Sequence, residues 1–108
     1  MNKRLAFLEQ HCAAGTADSF AFYGLGMEYR KEGRVDDAIA TFEKLKAKDP
    51  AYVPMYLMAG QALIDASRPT EARAWLEAGI EAARAKRDTH ALGELESALA
   101  NVSMPGES

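Results

Sequence analysis

The sequence predicts an all-α chain built of antiparallel helical hairpins. Three observations carry this reading. Apolar residues recur at steps of three and four between Phe20 and Val102, runs of β-branched residues alternating with polar ones are absent, and the pattern returns at an offset of 34 residues. A chain of 108 residues, 48% hydrophobic and 27% charged, has the size and composition of one globular module, assigned to residues 1–102.

The first element is a helix over 3–14 with Leu5, Leu8 and Cys12 turned inward. Asp18 and Ser19 are candidate N-caps for the next helix, whose apolar face is Phe22, Leu25, Gly26 and Tyr29. It stops near Gly33, where glycine can take the left-handed conformation. A second helix opens at Val35 or Asp36, with Asp36 and Asp37 placed against the positive end of the helix dipole. Val35, Ala38, Ile39, Phe42 and Leu45 form its stripe, Lys44, Lys46 and Lys48 fall near its C-terminus, and Asp49-Pro50 ends it.

The segments 53–67 and 70–86 repeat this plan, with Ser67-Arg68-Pro69 as the turn and Thr70 and Glu71 opening the second helix. Aligning 19–52 with 53–86 pairs Gly26 with Gly60, Arg34 with Arg68, Ala38 with Ala72, Ala40 with Ala74 and Glu43 with Glu77. The large apolar sites correspond too: Phe22 with Tyr56, Tyr29 with Leu63, Phe42 with Leu76. A closing helix over 89–102 carries Leu92, Leu95, Leu99 and Val102. Its register does not follow from the period, because no proline ends the preceding helix at Arg84. The tail 103–108 reads as disordered.

A period of 34 residues with two helices per repeat resembles the tetratricopeptide repeat, whose signature is W-x2-L-G-x2-Y, then A-x3-F, then P. The first repeat supplies Phe22, Leu25, Gly26, Tyr29, Ala38, Phe42 and Pro50 at that spacing, with only the Trp slot changed. The second, more degenerate, supplies Tyr56, Ala59, Gly60, Leu63, Ala72 and Leu76. The resemblance implies an α-α superhelix, a tetratricopeptide-like solenoid of about six antiparallel helices: two full repeats, 19–52 and 53–86, plus the flanking helices. Residues 3–14 then take the part of the second helix of an N-terminal half repeat. Gly26 and Gly60 are expected to let the helices of each hairpin approach closely, with Ala38 and Ala72 at the facing site.

The Gly24-Leu25-Gly26 stretch could suggest a phosphate-binding loop. Such a loop needs a strand before it and a helix opening after it, whereas both glycines here lie inside a helix. Gly24 itself, paired with Met58 one repeat later, has no packing explanation at this level. Trp75, at the edge of its helix's stripe, is expected to pack against the closing helix, with a role as an exposed anchor on the convex side the alternative.

The chemistry present points away from catalysis. Ser19, Ser67, Ser97 and Ser103 have no His and Asp arranged with them as a triad, and adjacent Asp36 and Asp37 diverge on a helix. Cys12 is the only cysteine and reads as a small buried residue. His11 and His90 are far apart, so neither a metal site nor a cofactor is expected. The net charge of −3 is mild and the charges are interleaved, which leaves no basic stripe for nucleic acid. No segment approaches the roughly 18 consecutive apolar residues of a membrane span, and the cytoplasm is the default compartment.

Function then rests on the surface. In the resembled family the first helix of each hairpin lines a concave groove that binds peptide segments. Here that side carries Tyr23, Met27 and Arg30 on one helix and Leu57, Gln61 and Ile64 on its repeat partner. Tyr23, Met27, Leu57 and Ile64 are more apolar than a solvated face requires. A non-catalytic scaffold that binds a protein or peptide through this groove is the expectation; a homodimer through the same apolar face is the alternative. Some members of the family grip a C-terminal carboxylate with a Lys, Asn, Asn, Lys, Arg set. The corresponding positions here include Tyr23, Met27, Pro54 and Met58, so that clamp is absent.

Overall fold

The computed structural model describes residues 1–102, and the tail expected to be disordered lies outside them. Six helices and no strand occur among the described residues: α1 (Lys3–Ala13), α2 (Ser19–Lys31), α3 (Val35–Lys48), α4 (Pro54–Asp65), α5 (Pro69–Lys86) and α6 (Thr89–Ala100). They fall into two compact units, the first ending at Pro50 and the second beginning at Ala51.

In the first unit α2 packs against both α1 and α3. Side chains set the starts of the first two helices. The Asn2 carboxamide oxygen accepts from the Leu5 amide at 2.9 Å, and the Asp18 carboxylate accepts from the Ala21 amide at 2.9 Å. Gly33, at φ 77°, reverses the chain after α2, and the Arg34 amide then donates to the Tyr29 carbonyl at 2.9 Å. Arg34 strengthens this corner twice, stacking its guanidinium 4.7 Å from the Tyr29 ring centre and pairing with Asp37 at 2.8 Å. At the open end of the hairpin the Ser19 hydroxyl donates to Asp49 at 2.7 Å, tying the start of α2 to the end of α3.

The α2–α3 contact is as close as the glycine pattern predicts. A β-carbon at Gly26 would stand 2.4 Å from Cε1 of Phe42, whose ring is wholly buried. The residue that occupies the glycine's space is therefore Phe42; Ala38, also wholly buried, lies one helical turn earlier on α3. On the other side of α2, Leu5 and Leu8 of α1 close on Leu25, with Cys12 and Tyr29 partly buried around them. Glu9 accepts a 2.5 Å hydrogen bond from the Tyr29 hydroxyl, and Arg4 and Asn2 both hold Glu28, each at 3.0 Å.

The second unit repeats the hairpin. A β-carbon at Gly60 would stand 2.5 Å from Cδ2 of Leu76, the counterpart of Phe42. The turn repeats as well: Ser67 occupies the place of Gly33 and is left-handed at φ 60°, while the Arg68 amide donates to the Leu63 carbonyl at 2.8 Å. Arg68 pairs with Glu71 at 2.7 Å, as Arg34 does with Asp37.

With no proline at position 84, α5 continues to Lys86 and ends on Arg87, left-handed at φ 57°. Asp88 then caps α6 by accepting from the Ala91 amide at 3.1 Å. Helix α6 packs on α5 and also lies beside α4.

Trp75 is 6% exposed, so it is no convex-side anchor, and its ring meets that of Tyr56 on α4, with centroids 5.9 Å apart. Gly79 makes room for this layer, because a β-carbon there would stand 2.5 Å from Cβ of Tyr56 and 2.8 Å from Leu95 of α6.

Candidate functional site

The six residues singled out from the sequence divide evenly between the two units. Tyr23, Met27 and Arg30 succeed one another along α2, and all three are half-buried. The Tyr23 ring lies tilted against that of Phe42, with centroids 6.3 Å apart, so the side chain that fills the Gly26 site also supports Tyr23. Burial pushes the Tyr23 hydroxyl above the usual phenol range, and the nearby Arg30 charge partly opposes this. Phe20, at the start of the same helix, is 71% exposed.

On α4 the equivalent positions are Leu57, Gln61 and Ile64. Leu57 and Gln61 are half-buried, and Ile64 is 37% exposed. Leu57 and Gln61 form one side of a cleft of about 680 Å³ whose other side is α6, through His90, Gly93, Glu94 and Ser97. Within this unit the closing helix leaves the α4 face open and builds a second wall opposite it. Ile64 lines a smaller recess of about 340 Å³, with Ser67, Pro69 and Val102.

Sequence reasoning missed the α6 wall, because Thr89, His90, Gly93, Glu94 and Ser97 read as an ordinary solvated face. One signal was available. Leu92-Gly93 repeats the Leu25-Gly26 dipeptide of α2, although Gly93, unlike Gly26, has no described side chain packed over it.

A third recess, of about 370 Å³, lies in the first unit, where Phe22, Leu25 and Tyr29 of α2 meet Glu9 and Cys12 of α1 and Lys44 of α3. Burial, and then the Asp18 charge, raise the Cys12 thiol above its ordinary range, which disfavours the reactive thiolate. Among the described residues no group of three or more His, Cys, Asp or Glu is placed to hold a metal ion. No helix there is long and apolar enough to cross a membrane.

Paired helices with a glycine in the first helix and a large apolar residue over it in the second define a helical-hairpin repeat protein. Comparison with known families agrees: the model of the tetratricopeptide repeat matches residues 29–95. The chain belongs to the tetratricopeptide repeat family.

Solved structures with a similar fold include a tetratricopeptide repeat domain protein from Salinibacter ruber. Its crystal structure is 32% identical, with a TM-score of 0.72 over 80% of this chain and 96% of that one. The solution structure of a Bordetella parapertussis protein is 25% identical, with a TM-score of 0.79 over 94% of this chain and 89% of the other. No curated protein matches the sequence. Tetratricopeptide repeat domains are generally protein–protein interaction modules and typically non-catalytic scaffolds.

Proposed function

We propose that this chain binds a peptide or protein segment through the first-helix faces of its two hairpins, at Tyr23, Met27 and Arg30 on α2 and at Leu57, Gln61 and Ile64 on α4. The observation that carries the reading is the use of these positions. They are equivalent in the two repeats, they flank the glycine contacts without being fully buried, and they hold Tyr, Met, Leu and Ile where a purely solvated face would hold charge. The open α4–α6 cleft supports it, since Leu57 and Gln61 stand in a recess of the size that ligands use.

The test is selection of binders from an unbiased displayed-peptide library, followed by calorimetric titration of the best peptide. The double variant Tyr23→Ala, Leu57→Ala weakens binding at least about tenfold while the helical circular dichroism signal is unchanged. Full affinity in that variant, or a library that returns no binder, contradicts the proposal.

A second copy of the chain is the other occupant these faces could take, and exposed Phe20 adds apolar area on α2 in its favour. Sedimentation over a range of concentrations separates the two. A dimer that disappears in Met27→Glu supports self-association, and a monomer at high concentration removes it.

A further inference from the structure

We propose that the α4–α6 cleft of the second unit accepts a partner segment in which a bulky apolar side chain stands next to a lysine or arginine. This rests on the interaction reading above and narrows it to a chemical class.

The first observation concerns glycine. In α2, α4 and α5 a glycine gives the space of its missing β-carbon to a large side chain of a neighbouring helix. Phe42 does this at Gly26, Leu76 at Gly60, and Tyr56 with Leu95 at Gly79, each with an atom at 2.5 Å or closer to the β-carbon position. Gly93 sits mid-helix in α6, in the wall of the cleft, and among the described residues nothing lies within 4 Å of a β-carbon built there. Glycine inside a helix is less favourable than alanine, and among the described residues no side chain packs into its place at Gly93 to offset this. Its bare backbone is a notch in the same recess as Leu57, and a Leu, Met or Phe from outside can enter it as Phe42 enters the Gly26 site.

The second observation is charge. Helices α4 and α6 together carry Asp65, Glu94 and Glu96 and contain no Lys or Arg. Glu96 lies 4.0 Å from Arg84 of α5. Glu94 lines the cleft, and its contact there is His90 at 3.4 Å, an ion pair only when the imidazole is protonated. A cation entering the recess meets the exposed Glu94 carboxylate, and an acidic segment meets like charge. Gln61 and Ser97 add amide and hydroxyl groups able to hydrogen-bond a peptide backbone.

The experiment uses the full chain and two pools of fluorescein-labelled dodecapeptides, each with a central Leu or Phe. One pool has Lys and Arg beside it, the other Asp and Glu. Fluorescence anisotropy is expected to show the basic pool binding at least about tenfold more tightly, with the preference shrinking as salt is raised. Two variants are expected to weaken the basic pool about tenfold: Gly93→Leu, which fills the notch at an open helical position where leucine is the better helix former, and Glu94→Gln, which removes the charge at constant shape. Equal binding of the two pools overturns the inference, as does full affinity in either variant. Binding that is lost in Tyr23→Ala but kept in Gly93→Leu overturns it while leaving the interaction reading in place. No binding of either pool also overturns it, and the unbiased peptide selection then judges the interaction reading by itself.

Discussion

Phe42 lies directly on Gly26, with Cε1 of the ring 2.4 Å from where a β-carbon on that glycine would be. Two helices can come this close only if one of them has no side chain at the crossing, and the ring fills what would otherwise be a void between them. The same device recurs 34 residues later at Gly60 and Leu76, so the repeat is a repeat of packing as well as of sequence.

Gly26→Ala is accordingly expected to destabilise the protein. Overpacking costs about 1–3 kcal/mol, against the roughly 1 kcal/mol that alanine gains in helix propensity, and the Phe42 ring has no exposed space to retreat into. Urea denaturation followed at 222 nm checks this, with a lower midpoint as the expected outcome.

Gly24, two residues earlier on the same helix, behaves oppositely. The nearest atoms to a β-carbon there belong to Arg4 and Leu8 of α1 at 3.9 Å, an ordinary contact distance. Gly24→Ala therefore adds helix propensity without a clash, and it raises stability by about 0.5–1 kcal/mol in the same urea assay.

Ser67 holds the left-handed conformation that Gly33 holds in the first hairpin, at φ 60° against 77°. A residue with a β-carbon is strained there, and the left-handed region costs about 1–2 kcal/mol. Part of this returns in Ser67→Gly, less the added freedom of the unfolded chain, for an expected gain of about 0.5–1 kcal/mol. Gly33→Ser is expected to lower stability. Thermal unfolding of the two variants side by side checks both signs.

The α1–α2 contact makes stability pH-dependent at both ends of the scale. The Asn2 side-chain hydrogen bond, followed by the Lys31 and Arg4 charges, holds the Glu28 carboxyl below the usual range against the opposing effect of burial. A carboxyl with a lowered folded pKa contributes stability that is complete above its unfolded value and is lost as pH falls through the folded one. The Tyr29 hydroxyl is pushed up to about 12 by burial and then by its bond to Glu9. Its contribution is complete below the unfolded phenol value near 10 and is lost as pH rises toward 12. Melting curves of wild type, Glu28→Gln and Tyr29→Phe test both. The difference between Glu28→Gln and wild type shrinks in acid, and that between Tyr29→Phe and wild type shrinks above pH about 10.

How much of this was legible in the sequence depended on whether the cause was local. Asp18, Gly33 and Asp49-Pro50 punctuate helices by their own chemistry, and Gly26 marked the close hairpin contact, although Ala38 was expected at the facing site where Phe42 stands. Three other features carried no local signal. Trp75 reads as an edge residue on a helical wheel and is buried because Gly79 admits Tyr56 from α4. The end of α5 falls on Arg87, a residue type with no preference for the left-handed conformation it adopts, so no local signal marked it. Gly24 could not be judged until α1 was known to pass at van der Waals distance.

The candidate site divides in the same way. Tyr23, Met27, Leu57 and Ile64 stand out as surplus apolar residues on helices whose inward faces are already complete. The α6 wall of the cleft does not, because polar side chains and one bare glycine are indistinguishable from a solvated surface until α4 is placed beside them.

The most direct test of the interaction account is a titration of the isotope-labelled 108-residue chain with the best selected peptide, followed residue by residue through amide and methyl shifts. The account predicts that the largest shifts fall on Tyr23, Met27, Arg30, Leu57, Gln61 and Ile64. Shifts confined to the outer faces of α1, α3 or α5, with those six residues unmoved, would contradict it.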